Sequence, residues 1–155
     1  MGIDKIMNAE IYFIKEQIFI ESEVEKMVRD IIGILKYANT NVLYRTIVEG
    51  TKVNLEEAFL DTVNSSDKID FIIIIGGLYN DRGCLIKSFF RDKNIVLEWD
   101  KLSKNVQFLY TYGAAIPGFC VNYLNRSVIL LPNLSSHTLD IVQNFVVPFL
   151  INNGN

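Results

Sequence analysis

The sequence predicts an α/β protein, a three-layer α/β/α sandwich with a mostly parallel central sheet. Apolar, β-branched stretches alternate along the chain with stretches of helical spacing, as in sheets covered by helices. The segment Phe71–Ile75 is apolar throughout, which is typical of a strand buried on both faces. Because the 155 residues contain no linker, repeat or low-complexity segment, we expect residues 1–155 to form one domain.

The chain begins with a predicted strand followed by a helix. Ala9–Ile20 has the composition of a strand, a polar turn and then a strand or loop. Ser22 and Glu25 have the spacing of a capping box, in which each side chain bonds an unpaired backbone N–H group. We therefore predict a helix over Glu23–Tyr37.

A second strand and helix follow. Val42–Val48 has strand composition, and the polar segment after it leads into a helix. Asn54 is the predicted cap of that helix, with Glu57 at the capping-box position. Asn64–Lys68 is then a polar loop that precedes the central strand.

The second half of the sequence is predicted to form a short helix, a strand, a hairpin and a final helix. The helix is expected over Cys84–Arg91 and the strand over Asn94–Glu98, whereas the stretch from Lys101 to Gly113 has no clear pattern. The hairpin pairs Cys120–Tyr123 with Ser127–Leu131 around a turn at Leu124, Asn125 and Arg126, and Pro132 ends its second strand. The final helix starts at a cap on Ser135 or Ser136, and Pro148 bends or ends it.

Composition argues against several classes of partner. The 15 basic and 18 acidic residues form no Lys/Arg run that could follow nucleic-acid phosphates, so no nucleic acid is expected. No apolar run approaches the roughly 20 residues of a membrane helix, and no signal peptide is recognisable at the N-terminus. We expect no membrane contact and a cytoplasmic location. The 50% hydrophobic content favours a homo-oligomer, either a dimer or a trimer.

The cysteines and the histidine predict no metal site. Cys84 and Cys120 could pair, but in a reducing compartment we interpret them as free thiols. His137, the single histidine, has no acidic or cysteine partner at a catalytic or metal-binding spacing.

Three loops would meet beyond the carboxyl ends of the central strands, where ligands collect in open parallel sheets. The first is the glycine turn after the central strand, which brings backbone close to an anion and adds a donor and a carboxylate. The second is a stiff bend before the hairpin, and the third joins a strand to a helix N-terminus that favours negative charge. Each loop could also be a plain turn or cap. Their candidate ligand-binding residues are Gly76, Gly77, Leu78, Tyr79, Asn80, Asp81, Pro117, Gly118, Asn133, Ser135 and Ser136.

A family resemblance extends over most of the chain from Asn39 on. It is carried by stretches at Asn39–Val48, Asn54–Val63, Ser66–Leu78, Gly113–Phe119, Val128–Pro132 and Val147–Leu150. Ser66–Leu78 is similar to an Asp-(apolar)-Gly-Gly-Leu core, and Gly113–Phe119 to a Gly-Thr-Ala-Pro-Gly-Phe signature with one extra residue. Taken in order, these stretches resemble the molybdopterin-binding domain family, most closely its competence and damage-inducible protein A branch (CinA-like), with enzymes of the MoaB and MogA type as more distant relatives.

The chain departs from that family at the catalytic loop. Where the family continues Gly-Pro-Thr-x-Asp-Asp-x-Thr, Gly83 and Cys84 replace both aspartates. The family's Gly-Asp-Glu element corresponds to Lys15, Glu16 and Gln17, and its Pro-Gly-Pro-Pro loop to residues 132–135. Carboxylates of such a pair would hold magnesium for phosphate chemistry. The resemblance therefore implies the fold and a ligand pocket more strongly than it implies catalysis.

Three hypotheses follow. The leading one is a binding domain for molybdopterin or a nucleotide-like ligand, without the family's phosphate chemistry, so that magnesium is not expected and nucleotide hydrolysis should be weak or absent. The second is a magnesium-dependent nucleotide pyrophosphatase or molybdopterin adenylyltransfer-type enzyme that uses Asp81 and Glu16. The third is an oligomeric interaction module.

Overall fold

The fold is taken from a computed structural model that describes residues 6–15, 21–78, 84–98, 103–104, 106–109, 118–133 and 135–148. Within those ranges the chain forms six strands and four helices. In chain order they are β1 (Met7–Lys15), α1 (Glu21–Tyr37), β2 (Thr40–Glu49), α2 (Lys52–Val63), β3 (Phe71–Ile75), α3 (Leu85–Arg91), β4 (Val106–Leu109), β5 (Gly118–Tyr123), β6 (Arg126–Leu131) and α4 (Ser135–Ile141), which continues as a π-helical turn at Val142–Val146.

The strands form one mixed sheet in the order β2-β1-β3-β6-β5-β4. Strands β2, β1, β3 and β6 are parallel, whereas β5 runs antiparallel to both of its neighbours. All five residues of β3 are buried. The mostly parallel sheet and its central apolar strand therefore match the prediction.

Two apolar clusters cover the two faces of the sheet. Ile11 and Phe13 of β1 face a cluster completed by α1 and α4. Tyr12 and Ile14 alternate with them and face a cluster completed by α2 and α3. This alternation of side chains between faces follows from the period of two along a strand, and it confirms the three-layer architecture. No helix among the described residues is long and apolar enough to span a membrane.

Two helices in the first half begin earlier than predicted. Helix α1 begins at Glu21, so Ser22 lies inside the helix instead of capping it. Helix α2 is capped by Thr51, whose hydroxyl accepts the backbone N–H of Asn54 at 3.2 Å. The predicted cap Asn54 is thus the third helical residue. At α2 both Thr51 and Asn54 are capping residue types, and composition does not rank them, whereas at α1 the capping-box spacing of Ser22 and Glu25 falls inside the helix.

In the second half the prediction was wrong at one place and left another open. Asn94–Glu98 is not a strand; the N–H of Ile95 bonds Phe90 O at 2.8 Å, which folds the chain back on α3. Strand β4 lies in the stretch that had no clear pattern. Its four residues are too few to establish alternation, since only the first and last are buried.

The hairpin and the last helix differ from the prediction only at their ends. The turn consists of Leu124 and Asn125, with φ of 53° and 60°, and Arg126 already belongs to β6. Helix α4 begins at Ser135, and Ser136 lies within it. Pro148 is still helical after the π turn, and the residues that follow it lie outside the described ones. A proline ring clashes with the carbonyl four residues earlier in an α-helix, and the wider π turn changes that spacing. The predicted continuations at Ile18–Ile20 and Phe149–Leu150 lie outside the described residues.

Candidate functional site

The three candidate loops share one edge of the sheet. Ile75 of β3 pairs with Leu131 of β6, and the N–H of Gly76 continues this ladder with a bond of 2.9 Å to Leu131 O. Asn133 follows β6 at the same edge. Gly118 starts β5, which runs antiparallel to β6, so it also lies there. The structure therefore brings the described parts of all three loops to the carboxyl edge of β3 and β6.

The backbone explains why the turn contains two glycines. Gly76 and Gly77 have φ of 99° and 75°, in the region that residues with a Cβ rarely adopt. A Cβ on Gly77 would also lie 2.9 Å from Cγ1 of Ile86. The fold alone thus requires glycine at position 77, whether or not a ligand binds.

The glycine turn holds the start of α3. Gly77 O accepts the N–H of Ile86 at 3.1 Å and the thiol of Cys84 at 3.1 Å. The Cys84 sulfur in turn accepts the N–H of Lys87 at 3.5 Å and caps the helix. Burial raises the pKa of Cys84, with hydrogen bonding and the charge of Lys87 acting in the opposite direction. The thiol therefore stays neutral and is fully engaged in the fold.

Two other candidate residues have clear structural roles. The side chain of Leu78 is buried in the cluster beneath α2 and α3. At Gly118, a Cβ would lie 2.7 Å from Leu130 O, so the close approach of β5 to β6 requires glycine. Leu78 and Gly118 could offer a ligand only backbone groups.

The loop after β6 is fixed by a contact that the sequence did not indicate. The hydroxyl of Thr138, which is buried, donates to Pro132 O and ties the loop to the first turn of α4. Ser135, Ser136 and His137 form the start of that helix. Tyr79, Asn80, Asp81, Pro117 and Glu16 lie outside the described residues.

Charged side chains at this edge include an ion pair between the ends of two strands. Lys15 and Glu49, which end β1 and β2, form an exposed ion pair at 3.7 Å. No group of three or more His, Cys, Asp or Glu side chains in the described ranges is arranged to hold a metal ion. Cys84 and Cys120 are free thiols, as predicted.

A buried polar cluster between β1, β2 and α2 was missed entirely. The Glu10 carboxylate accepts hydroxyl hydrogen bonds from Thr46 at 2.9 Å and Thr62 at 2.6 Å. Tyr12 shares a short hydrogen bond with Thr62, and burial raises its pKa well above the ordinary value. The only sequence signal was a charged residue within an apolar strand. Its partners come from two other elements, so the cluster could not be assembled from sequence.

Comparison with known proteins identifies solved structures that have the same fold. Neither a protein-family model nor a curated protein sequence matches the chain. Solved structures do match over nearly its whole length. The protein CinA from Thermoplasma acidophilum has a TM-score of 0.72 at 14% identity, covering 94% of this chain and 99% of that one.

Two cofactor-biosynthesis proteins are also similar. Molybdenum cofactor biosynthesis protein B has a TM-score of 0.66 at 16% identity, covering 98% of both chains. The tungsten cofactor synthesizing protein MoaB from Pyrococcus furiosus has a TM-score of 0.57 at 15% identity, covering 97% of this chain and 99% of that one. The chain thus has the fold of the molybdopterin-binding domain family, as its sequence segments predicted.

Proposed function

We propose that the chain binds a molybdopterin-like or nucleotide-like phosphate ligand at the carboxyl edge of β3 and β6, without the family's phosphate chemistry. The proposal rests on the position and hydrogen bonding of Cys84. It stands where the resembling family has an aspartate, and its neutral thiol is bonded to Gly77 and to the start of α3. This position supplies no anionic oxygen for magnesium.

The ligand class is argued from the edge and from the similar structures. Ligands of open α/β sheets collect where loops leave the carboxyl ends of central strands, and the turn at Gly76 and the loop at Asn133 lie side by side there. Two of the similar structures are named for molybdenum or tungsten cofactor synthesis. These names support a pterin phosphate as the first ligand to test.

Isothermal titration tests the proposal directly. Molybdopterin precursors, ADP-ribose and ATP would each be titrated with and without magnesium, and we expect at least one to bind independently of magnesium. Asn133→Asp should weaken that binding about tenfold, because it adds a negative charge beside an anionic ligand. Asn41→Asp is the matched control, since it makes the same change at an exposed position on β2.

Two results would overturn the proposal. If none of these ligands binds, the proposed ligand site is wrong. Turnover of any of them at ordinary enzyme rates, about 1 per second or faster, would favour the magnesium-dependent enzyme instead, and Asp81→Asn should then abolish the activity.

The same proposal includes a homo-oligomer formed through β2. This strand is at the edge of the sheet and leaves Leu43, Tyr44 and Ile47 exposed, Ile47 by 57%. An apolar edge strand readily pairs with a second chain. Ile47→Lys should convert a dimer or trimer to monomer in analytical ultracentrifugation, whereas Val53→Lys, on an exposed apolar residue of α2, should not. A monomeric parent chain contradicts this assembly.

A further inference from the structure

We infer a second ligand site at the opposite, amino edge of the sheet, centred on Arg126 and suited to a small phosphate or carboxylate. Two cavities of about 480 and 500 Å³ adjoin there. Asp70, Asn125 and Arg126 line both of them. Asp70 precedes β3 and Arg126 starts β6, so this site lies at the other end of the strands from the glycine turn.

The Arg126 guanidinium is fixed in place by neutral groups. Its Nε donates to Ile69 O and its Nη1 to Leu124 O, both at 3.0 Å. No carboxylate among the described residues forms an ion pair with it. A guanidinium held in this way keeps its charge uncompensated by contact and its planar fork oriented, which favours binding of an oxyanion.

The surrounding residues add positive charge and hydrogen-bonding groups. In the cavity toward β4 and β5, Lys104 joins Arg126, and the remaining polar lining is neutral apart from Asp70. That neutral polar lining consists of Gln107, Asn122, Asn125 and Ser127. In the second cavity Lys68 takes the place of Lys104. Each cavity is therefore lined by two cations and one carboxylate, in a chain of net charge −3.

The single carboxylate is already engaged by the fold. Asp70 accepts the backbone N–H of Asn8 at 2.8 Å and lies 3.9 Å from Lys68 Nζ. Its charge is thus partly compensated from the side of β1. The uncompensated charge that faces the cavities is the positive charge of Arg126 and Lys104. It favours binding of an anion over binding of a cation.

The hairpin turn contributes to the position of Arg126. Leu124 has φ of 53°, a conformation that is costly for a residue with a branched side chain. Its carbonyl is one of the two that hold the guanidinium. The two-residue turn requires a positive φ at this position, so the turn geometry sets where the Leu124 carbonyl meets Arg126.

The size and lining define the ligand class. A cavity of about 480 Å³ accommodates a small metabolite. Amide and hydroxyl side chains around a paired cationic centre match a phosphate or carboxylate attached to a polar body, such as a sugar. An apolar ligand would leave these polar groups without partners.

Amide chemical-shift mapping would test the site, with inorganic phosphate and glucose 6-phosphate as probes and glucose as the uncharged control. We expect both phosphates to shift the amides of Asn122, Arg126 and Ser127, and glucose to have no effect. Asn122→Asp and Lys104→Gln should each weaken phosphate binding about fivefold to tenfold. Asn41→Asp, which lines neither cavity, should leave it unchanged.

The test uses variants at Lys104 and Asn122 because these substitutions should not disturb folding. Arg126→Gln removes two structural hydrogen bonds and could unfold the hairpin, but the side chains of Lys104 and Asn122 are exposed and form no hydrogen bond to another described residue. Shifts confined to Gly76 and Gly77 would overturn the second site while supporting the first. Absence of any shift, or unaltered affinity in both Asn122→Asp and Lys104→Gln, would also overturn it.

Discussion

At the scale of single residues, Thr51 shows how one hydroxyl decides where a helix begins. Its Oγ1 accepts the N–H of Asn54, so the Thr51→Ala variant leaves that donor without its partner. We expect Thr51→Ala to lower the free energy of unfolding by about 1 kcal/mol. Asn54→Ala should cost about 0.5 kcal/mol or less, because Asn54 is inside the helix. Urea unfolding of both variants measures the difference, and a larger loss for Asn54→Ala would contradict the assignment.

Gly77 is a second position where one atom matters. An alanine there combines a positive φ with a Cβ 2.9 Å from Ile86, so Gly77→Ala should destabilise the protein by on the order of 2 kcal/mol. Gly33→Ala is the matched control. Gly33 lies within α1 with nothing within 4 Å of its would-be Cβ, and the change should stabilise by about 0.5–1 kcal/mol. Equal effects in thermal unfolding would count against a structural role for the turn.

At the scale of elements, the β5–β6 hairpin carries a turn residue that is not the best for its geometry. A two-residue turn with both φ values near 60° favours Asn and Gly, but the first position is Leu124. Leu124→Asn should raise stability by about 1 kcal/mol, since the side chain is 41% exposed and loses little burial. Calorimetry of the variant would show a higher melting temperature. A lower melting temperature would mean that a contact of the Leu124 side chain stabilises the protein by more than its positive φ costs.

The elements that the sequence predicted well are those whose pattern is local. Phe71–Ile75 and the helix before Tyr37 have long, consistent apolar patterns, so their existence and type followed directly. Strand β4 is short, at the sheet edge and buried only at its ends, so it depends on pairing with β5 for its conformation. Such a strand is specified by a neighbour that is distant in sequence.

At the scale of the whole molecule, the buried thiol of Cys120 links stability to pH. Burial raises its pKa from 9.0 to about 11. Between these values the unfolded chain releases the proton while the folded chain keeps it, so stability falls as the pH rises. We expect a loss on the order of 2 kcal/mol between about pH 9 and pH 11.

Urea unfolding of the parent chain and of Cys120→Ala across that range would isolate the contribution. The parent should lose more stability than the variant as pH rises, because the variant has no thiol at position 120. Tyrosines that titrate in the same range are common to both chains and cancel in the comparison. Parallel pH profiles would show that Cys120 is not the linked group.

One of the two candidate sites was predicted from the sequence and the other was found only in the structure. Gly76, Gly77 and the residues after β6 were predicted from the rule that ligands collect at carboxyl strand ends, and the sheet order brings their described parts together. The Arg126 groove was not predicted. Its lining comes from residues near 68, 104, 120 and 126, which no sequence spacing relates.

The sequence by itself determined the fold class and most of the elements, because apolar periodicity and turns act between residues only a few positions apart. The family resemblance also implied that Gly83 and Cys84 stand where that family has paired aspartates. Only the tertiary structure decided that Cys84 is used as a helix cap, that Glu10 is satisfied by threonines from β2 and α2, and that Arg126 is held at an open groove. These features depend on hydrogen bonds and burial between distant segments, which exist only once the sheet order is set.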